Sequence, residues 1–146
     1  MNRLSRRTLG LVATGLVALS LSAGAIAEDK TLYQRLGGKP ALEAVVGELW
    51  AITSADERIN HYFANTKPEA FAGQLVDFLC QAAGGPCQYE GKDMQAAHTG
   101  MSLTDADFAA LAENVEMALD KFDVPAKEHG EVMAMLGSLK SAVVNH

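Results

Sequence analysis

The sequence predicts an all-α fold. Apolar residues recur at i, i+3, i+4 and i+7 in four separate stretches, which is the spacing of one face of an α-helix. Glycine and proline mark the intervals between these stretches. No stretch alternates between apolar and polar residues as a half-buried strand would. At 146 residues, the chain is long enough for one domain.

The first 27 residues are predicted to be a secretory signal peptide, which leaves residues 28–146 as the domain. Three arginines precede an uncharged, mostly apolar stretch that ends in Ala25-Ile26-Ala27. This order of basic, apolar and small residues is typical of a cleaved leader. An uncleaved membrane anchor is the alternative, although the glycines, the serines and the small-residue end favour cleavage. Arg6-Arg7 also fits a twin-arginine signal, so both this route and the Sec route stay open.

The charge of the domain restricts its partners. Residues 28–146 keep nine Lys and Arg against 18 Asp and Glu, a net charge of about −9. Such an acidic domain argues against nucleic acid and against anionic membrane surfaces. We therefore expect an exported, periplasmic protein with no stable membrane contact once the leader is removed.

The first two helices are predicted from their apolar stripes and from the residues that bound them. The first stripe consists of Leu42, Val45, Val46, Leu49 and Trp50. Pro40, after Gly37-Gly38, suits the first turn of that helix. The second stripe consists of Phe71, Leu75, Phe78, Leu79 and Ala82, and Gly84-Gly85-Pro86 ends it. Between the two helices, Ser54 and Glu57 have the spacing of a capping box.

Two further helices complete the domain. The third stripe consists of Phe108, Leu111, Ala112, Val115, Ala118, Leu119 and Phe122, and the fourth of Val132, Met135, Leu136, Leu139 and Val143. Thr104 and Asp107 predict a capping box at the start of the third helix, and Pro125 marks the start of the fourth. By periodicity alone these stripes form a core, while an apolar slot for a flat macrocycle is the functional alternative.

The two cysteines, Cys80 and Cys87, flank the turn that ends the second helix. Export makes a disulfide chemically possible, but the sequence supports two free thiols equally well. Because there is no Cys-x-x-Cys-His motif, a haem in this chain would not be attached in the c-type way.

The stretch from Gly84 to His98 contains a single histidine, which is a candidate metal ligand. Met94 and His98 are four residues apart and therefore share one face of a short helix, where Ala96 and Ala97 leave room for a flat ring. A neutral imidazole in such a position can ligate a metal or a haem iron. From these residues alone, an ordinary polar helix residue is the more common case.

Four motifs, in order along the chain, resemble group I truncated haemoglobins. They are Leu32-Tyr33-x-x-Leu36-Gly37-Gly38, the Tyr62-Phe63 pair, Gly84-Gly85-Pro86-x-x-Tyr89-x-Gly91, and Met94-x-x-x-His98. The resemblance extends from Thr31 to the last helix. It implies a two-over-two helical sandwich that binds haem b non-covalently, with His98 as the axial ligand of the iron. It also implies a pocket lined by Phe63, Phe78, Tyr89 and Met94, with Trp50, Phe71 and Leu75 on the distal side.

The distal positions depart from the family pattern. Where relatives commonly carry a tyrosine and a facing glutamine, this chain has Trp50, with Phe71 and Leu75 opposite. An indole donates a hydrogen bond but accepts none. Gln74 lies between the two facing positions, either solvated on the helix flank or able to swing inward. We therefore expect faster loss of O2 than in relatives that carry the tyrosine.

The resemblance implies a globin that reversibly binds diatomic gases, namely O2, CO and NO. The sequence shows no reductase domain, so an enzymatic role would need an outside electron donor, which is unknown. Chemistry with NO, nitrite or peroxide at the iron is an alternative, and so is haem trapping. A six-coordinate haem module without gas transport is another. A haem-free helical interaction domain would keep the scaffold alone.

Overall fold

The computed structural model describes residues 29–146, so the predicted signal peptide lies outside the described residues. In this part of the chain all regular secondary structure is helical, as predicted, and there is no β-strand. The helices are α1 (Leu32–Leu36), α2 (Lys39–Ala55), a 3₁₀ helix (Asn60–Phe63), α3 (Pro68–Ala82), α4 (Met94–His98), α5 (Asp105–Lys121), α6 (Ala126–Ser138) and α7 (Lys140–Val143). No helix within 29–146 is long and apolar enough to cross a membrane.

Most of the predicted helix boundaries are confirmed. Pro40 lies in the first turn of α2, Pro125 is the N-cap residue of α6, and Thr104 and Asp107 form the predicted capping box of α5. The predicted box at Ser54 and Glu57 is wrong. Ser54 lies in the last turn of α2 and its hydroxyl donates to the carbonyl of Ala51, a local bond that serine makes readily inside a helix.

The helices form two packed pairs. α2 packs on α3, α5 packs on α6, and α2 also contacts α5, which joins the pairs into a two-over-two sandwich. The short α1 closes against α6, where the guanidinium of Arg35 donates to the carboxylates of Glu128 and Glu131. The short α4 packs against α7.

Two separate apolar clusters stabilise this arrangement. The first is centred on Leu42, Val46, Val76 and Cys80, between α2 and α3. The second is centred on Leu103, Phe108, Val143 and Val144, beside α4. Burial of a large aliphatic side chain contributes roughly 2 kcal/mol, so each cluster holds its own pair of elements together.

The two cysteines form a disulfide, which resolves the alternative that the sequence left open. The bond joins the last turn of α3 to the following loop across a sequence separation of 7 residues, with the Cα atoms 5.7 Å apart. Closing so short a loop stabilises the folded chain by about 2.5 kcal/mol in the chain-entropy model.

A polar network at the C-terminal end of α2 makes folding sensitive to acid. The buried Asn114 amide donates to Asp56 over 3.0 Å, and Arg58 donates to the same carboxylate over 2.8 Å. These bonds, the Arg58 bond first, hold the pKa of Asp56 well below its usual value. A carboxyl whose pKa is depressed by folding stabilises the protein above its unfolded pKa, and that stability is lost as the pH falls.

We therefore expect the melting temperature to fall as the pH drops from about 5 towards 2, and to fall less steeply in Asp56→Asn. The residual slope in the variant reflects Asp107 and Glu131, whose pKa values are also lowered. Thermal unfolding followed by circular dichroism at several pH values measures both slopes. Equal slopes for wild type and Asp56→Asn would contradict the assignment.

Candidate functional site

His98 is positioned by the backbone of its own short helix. It is the last residue of α4 and is half-buried, with its Nδ1 atom 2.7 Å from the carbonyl oxygen of Met94. Because a carbonyl only accepts, Nδ1 carries the proton and Nε2 keeps its lone pair. Among residues 29–146, nothing forms a hydrogen bond with Nε2. This is the arrangement of a histidine that ligates a metal through Nε2 while its other nitrogen fixes the ring.

Contacts at both ends fix the orientation of α4. At its start, the Asp93 carboxylate accepts from the backbone N–H of Ala96 over 2.8 Å. Met94 packs against the second apolar cluster. Beyond the helix, the backbone N–H groups of Gly100 and Ser102 donate to the carbonyl oxygen of His146. His98 is therefore held on a short segment with attachments on either side.

Three of the predicted pocket residues come together as an aromatic triad from three different elements. Trp50 lies in α2, Phe63 ends the 3₁₀ helix, and Phe71 is in the first turns of α3. The ring centroids are 6.0 Å apart for Trp50 and Phe63, 5.3 Å for Trp50 and Phe71, and 5.5 Å for Phe63 and Phe71. The sequence predicted these residues for one pocket, and the structure places them in mutual contact.

A second aromatic pair lies further along α3. The rings of Phe78 and Tyr89 meet edge to face at 5.2 Å, and the Tyr89 hydroxyl donates to the carbonyl of Lys92 over 2.8 Å. Leu75, one turn before Phe78, packs against the first apolar cluster. The pair connects α3 to the loop that leads into α4.

The apolar stripe of α3 is not simply core. Phe71, Leu75 and Phe78 are half-buried, whereas Val76 and Cys80 on the neighbouring face are fully buried against α2. The expectation from periodicity that the stripe fills a core is therefore wrong for its aromatic members. A half-exposed aromatic face fits the alternative, an apolar slot for a flat ligand.

The other polar candidates lie outside this group of side chains. His61 is exposed with its ring 4.1 Å from that of Tyr62, and His129 lies 3.5 Å from a carboxylate oxygen of Asp120. Gln74 is exposed on the flank of α3, which is the solvated position rather than the inward one of the two alternatives. Within residues 29–146, no cluster of His, Cys, Asp and Glu is arranged to hold a metal ion.

A cavity of about 280 Å³ is distinct from this group. It lies between α1, α2, α5 and α6 and is lined mostly by apolar side chains such as Leu36, Val45, Leu119 and Val132. None of the predicted pocket residues borders it. Its charged lining residues are Asp123 and Arg35, and Arg35 is already paired with Glu128 and Glu131.

Comparison with known proteins identifies the family. The model of the bacterial-like globins matches residues 31–145. A group 1 truncated haemoglobin of Tetrahymena thermophila is 39% identical over 109 residues, which cover 75% of this chain and 90% of that protein. The chain belongs to the group 1 truncated haemoglobins. A group 1 truncated haemoglobin of Mycolicibacterium paratuberculosis is 33% identical to it over 113 residues, 77% of this chain and 83% of that protein.

Solved structures of truncated haemoglobins share the fold. The Fe(III) form of the Tetrahymena pyriformis protein superposes with a TM-score of 0.77 at 33% identity, over 80% of this chain and all of that one. The 2/2 haemoglobin of Synechococcus sp. PCC 7002, in the cyanomet state with covalently attached haem, has a TM-score of 0.75 at 33% identity over the same shares. The predicted truncated globin fold is confirmed.

The sequence did not identify which backbone carbonyl holds the second ring nitrogen of His98 in this truncated haemoglobin; the structure assigns it to Met94. The Met94 carbonyl is four residues earlier, and at the end of a short helix it is within reach of the imidazole. The signal was present in the four-residue spacing. The acceptor is a backbone atom, so no residue type in the sequence marks it.

Proposed function

We propose that this truncated haemoglobin binds haem and, through it, diatomic gases reversibly. The single observation that supports this most strongly is His98, whose Nδ1 is fixed by the Met94 carbonyl while Nε2 is left as a ligand. His98 would supply the protein's ligand to the iron, and the macrocycle itself would supply the rest. When bound, haem provides an iron atom that coordinates O2, CO and NO.

The residues present fit that group. Phe63, Phe71 and Phe78 offer half-buried aromatic faces suited to a flat apolar macrocycle. Trp50 and Leu75 extend this surface, as do Met94 and Tyr89 near His98. A neutral carbonyl on Nδ1 leaves His98 a neutral imidazole, as in oxygen-binding globins, whereas a carboxylate acceptor would make it more basic.

We propose haem b, held without a covalent bond through cysteine. Both cysteines of the chain are joined in the disulfide, which leaves no thiol for attachment. The Synechococcus protein shows that covalent attachment occurs among similar proteins. Extraction into acidified butanone distinguishes the two cases, since only non-covalent haem leaves the protein.

We propose an exported, periplasmic protein. Support comes from the leader pattern of residues 1–27 and from the disulfide, because such bonds form and persist in oxidising compartments. Turnover chemistry with NO, nitrite or peroxide at the iron would then need an electron donor from outside the chain. Fractionation of producing cells tests the location, and a chain confined to the cytoplasm would contradict it.

The function is tested by titrating the protein, expressed from the full chain, with hemin and recording ferric, ferrous and CO spectra. We expect a Soret band that saturates at one hemin per chain and a ferrous form that takes up CO. Haem should extract completely into acidified butanone. Absence of a Soret band would leave the haem-free interaction domain, and a six-coordinate ferrous spectrum without added ligand would favour the haem module.

A further inference from the structure

We propose that the Cys80–Cys87 disulfide is a positioning device for the axial ligand: it fixes the loop of residues 84–93, so that His98 retains haem only while the bond is closed. The inference rests on the proposed function. The loop has no regular secondary structure of its own, although it connects α3 directly to α4. Its position therefore depends on how it is attached to its surroundings.

The attachment is concentrated at the end of α3. Besides the disulfide, the backbone N–H of Gly85 donates to the carbonyl of Cys80 over 2.7 Å. The N–H of Tyr89 donates to the Gln81 side chain over 2.7 Å. Cys80 is completely buried in the first apolar cluster, and Cys87 packs against the same cluster. The disulfide is thus the covalent member of a set of contacts, and it is anchored in a fully buried apolar cluster.

From this anchor a short series of contacts leads to His98. Tyr89, two residues after Cys87, packs on Phe78 and donates through its hydroxyl to Lys92. Lys92 precedes Asp93, the N-cap residue of α4, and α4 ends at His98. Gly91 lets the backbone pass close to the Tyr89 ring, since a Cβ at that position would lie 2.3 Å from the ring. A shift of Cys87 is therefore passed on to the helix that carries the ligand.

Opening the bond is a defined thiol–disulfide exchange. A dithiol reductant transfers two electrons and two protons to the Sγ–Sγ bond, which gives two protein thiols and one oxidised dithiol. Cys87 is partly exposed and Cys80 is not, so the entering thiolate attacks Cys87 and displaces Cys80. Because that leaving thiolate forms in an apolar cluster, exchange is slow, and the bond stays closed under mild conditions.

The test compares wild type with Cys80→Ala/Cys87→Ala, both expressed from the full chain and loaded with hemin. We expect transfer of hemin to apomyoglobin to be at least tenfold faster from the variant, and from dithiol-reduced wild type, than from oxidised wild type. In the apoproteins, the Gly85 and Tyr89 amides should exchange with deuterium at least tenfold faster when the bond is absent. This second measurement does not depend on haem.

Two controls separate positioning from loss of stability. Asn114→Ala removes a buried hydrogen bond between α2 and α5, far from the loop, and should lower the melting temperature while changing hemin transfer less than twofold. Tyr89→Phe loses only the bond to Lys92 and should speed transfer moderately. Tyr33→Phe keeps the ring, which packs beside Gly85, and loses only the bond from the Lys39 N–H to the tyrosine hydroxyl, which does not hold the loop, so it should not speed transfer.

The outcomes distinguish the two proposals. If wild type binds hemin through His98 but removal of the disulfide changes neither transfer nor amide exchange, the positioning role is overturned and the proposed function stands. Transfer from Asn114→Ala as fast as from the double alanine variant would also overturn it, because stability alone would then account for the effect. If oxidised wild type binds no hemin at all, the proposed function fails and this inference fails with it.

Discussion

Replacement of His98 by alanine is expected to abolish the coordinated haem spectrum and to weaken hemin binding by at least 100-fold. The imidazole is the one side chain in the candidate pocket that offers a ligand nitrogen, since Nδ1 is bound to Met94 and Nε2 is left for iron. The remaining residues of the pocket offer apolar and aromatic surface but no imidazole, and the Tyr89 hydroxyl is bonded to the Lys92 carbonyl. Absorbance titrations in the ferric and ferrous states measure the change.

The other histidines of the domain provide matched controls. His61 is exposed and His129 lies against Asp120, so alanine at either position should leave the spectra and the hemin affinity unchanged. Imidazole added to His98→Ala should restore the coordinated spectrum, because the exogenous ring replaces the missing ligand. Spectra of His98→Ala identical to wild type would remove the axial assignment and with it the basis of the proposed function.

Replacement of Trp50 by tyrosine is expected to slow the dissociation of O2 by about tenfold. Bound O2 carries partial negative charge on oxygen, and one hydrogen bond to such a group contributes about 1.5–3 kcal/mol. Trp50 packs against Phe63 and Phe71, and no hydrogen bond of its indole occurs among the described residues. A tyrosine hydroxyl in that place adds a donor to an otherwise apolar wall. Stopped-flow displacement of O2 by CO measures the rate.

Trp50→Phe is the comparison that separates hydrogen bonding from size. It removes the indole N–H and reduces bulk without adding a hydroxyl, so it should not slow O2 loss. CO dissociation, which depends less on such bonds, should change little in either variant. Slow O2 loss from wild type, unaltered in Trp50→Phe, would show that the apolar distal interpretation is wrong.

Much of the fold was predictable because helical periodicity is local information. The stripes of α2, α5 and α6, the Thr104–Asp107 capping box and Pro125 at the start of α6 all follow from residues three or four apart in the chain. The error at Ser54 has the same local origin. A serine near a helix end suits either an N-cap or a backward bond to the preceding turn, and only the extent of α2 distinguishes these.

The sequence could predict which residues belong to the candidate site, but not which of them contact one another. The motif resemblance named Trp50, Phe63 and Phe71 together, yet these residues come from three elements, and their mutual contacts depend on how α2 packs on α3. The same packing buried Val76 and Cys80 and left the aromatic stripe of α3 half-exposed. A period of 3.6 residues specifies that a helix has an apolar side, but not which part of that side faces a neighbour.

By itself the sequence determined the helical class and the four long helices, and its motifs singled out His98 as the candidate ligand through their resemblance to a known family. Tertiary structure alone decided that Cys80 and Cys87 are bonded, that Trp50, Phe63 and Phe71 meet and that the aromatic face of α3 stays partly exposed. The physical reason is the distance along the chain over which each interaction acts. Helix formation and capping depend on neighbours along the chain, whereas a disulfide, a ring contact or a buried face depends on distances that exist only once the helices have packed.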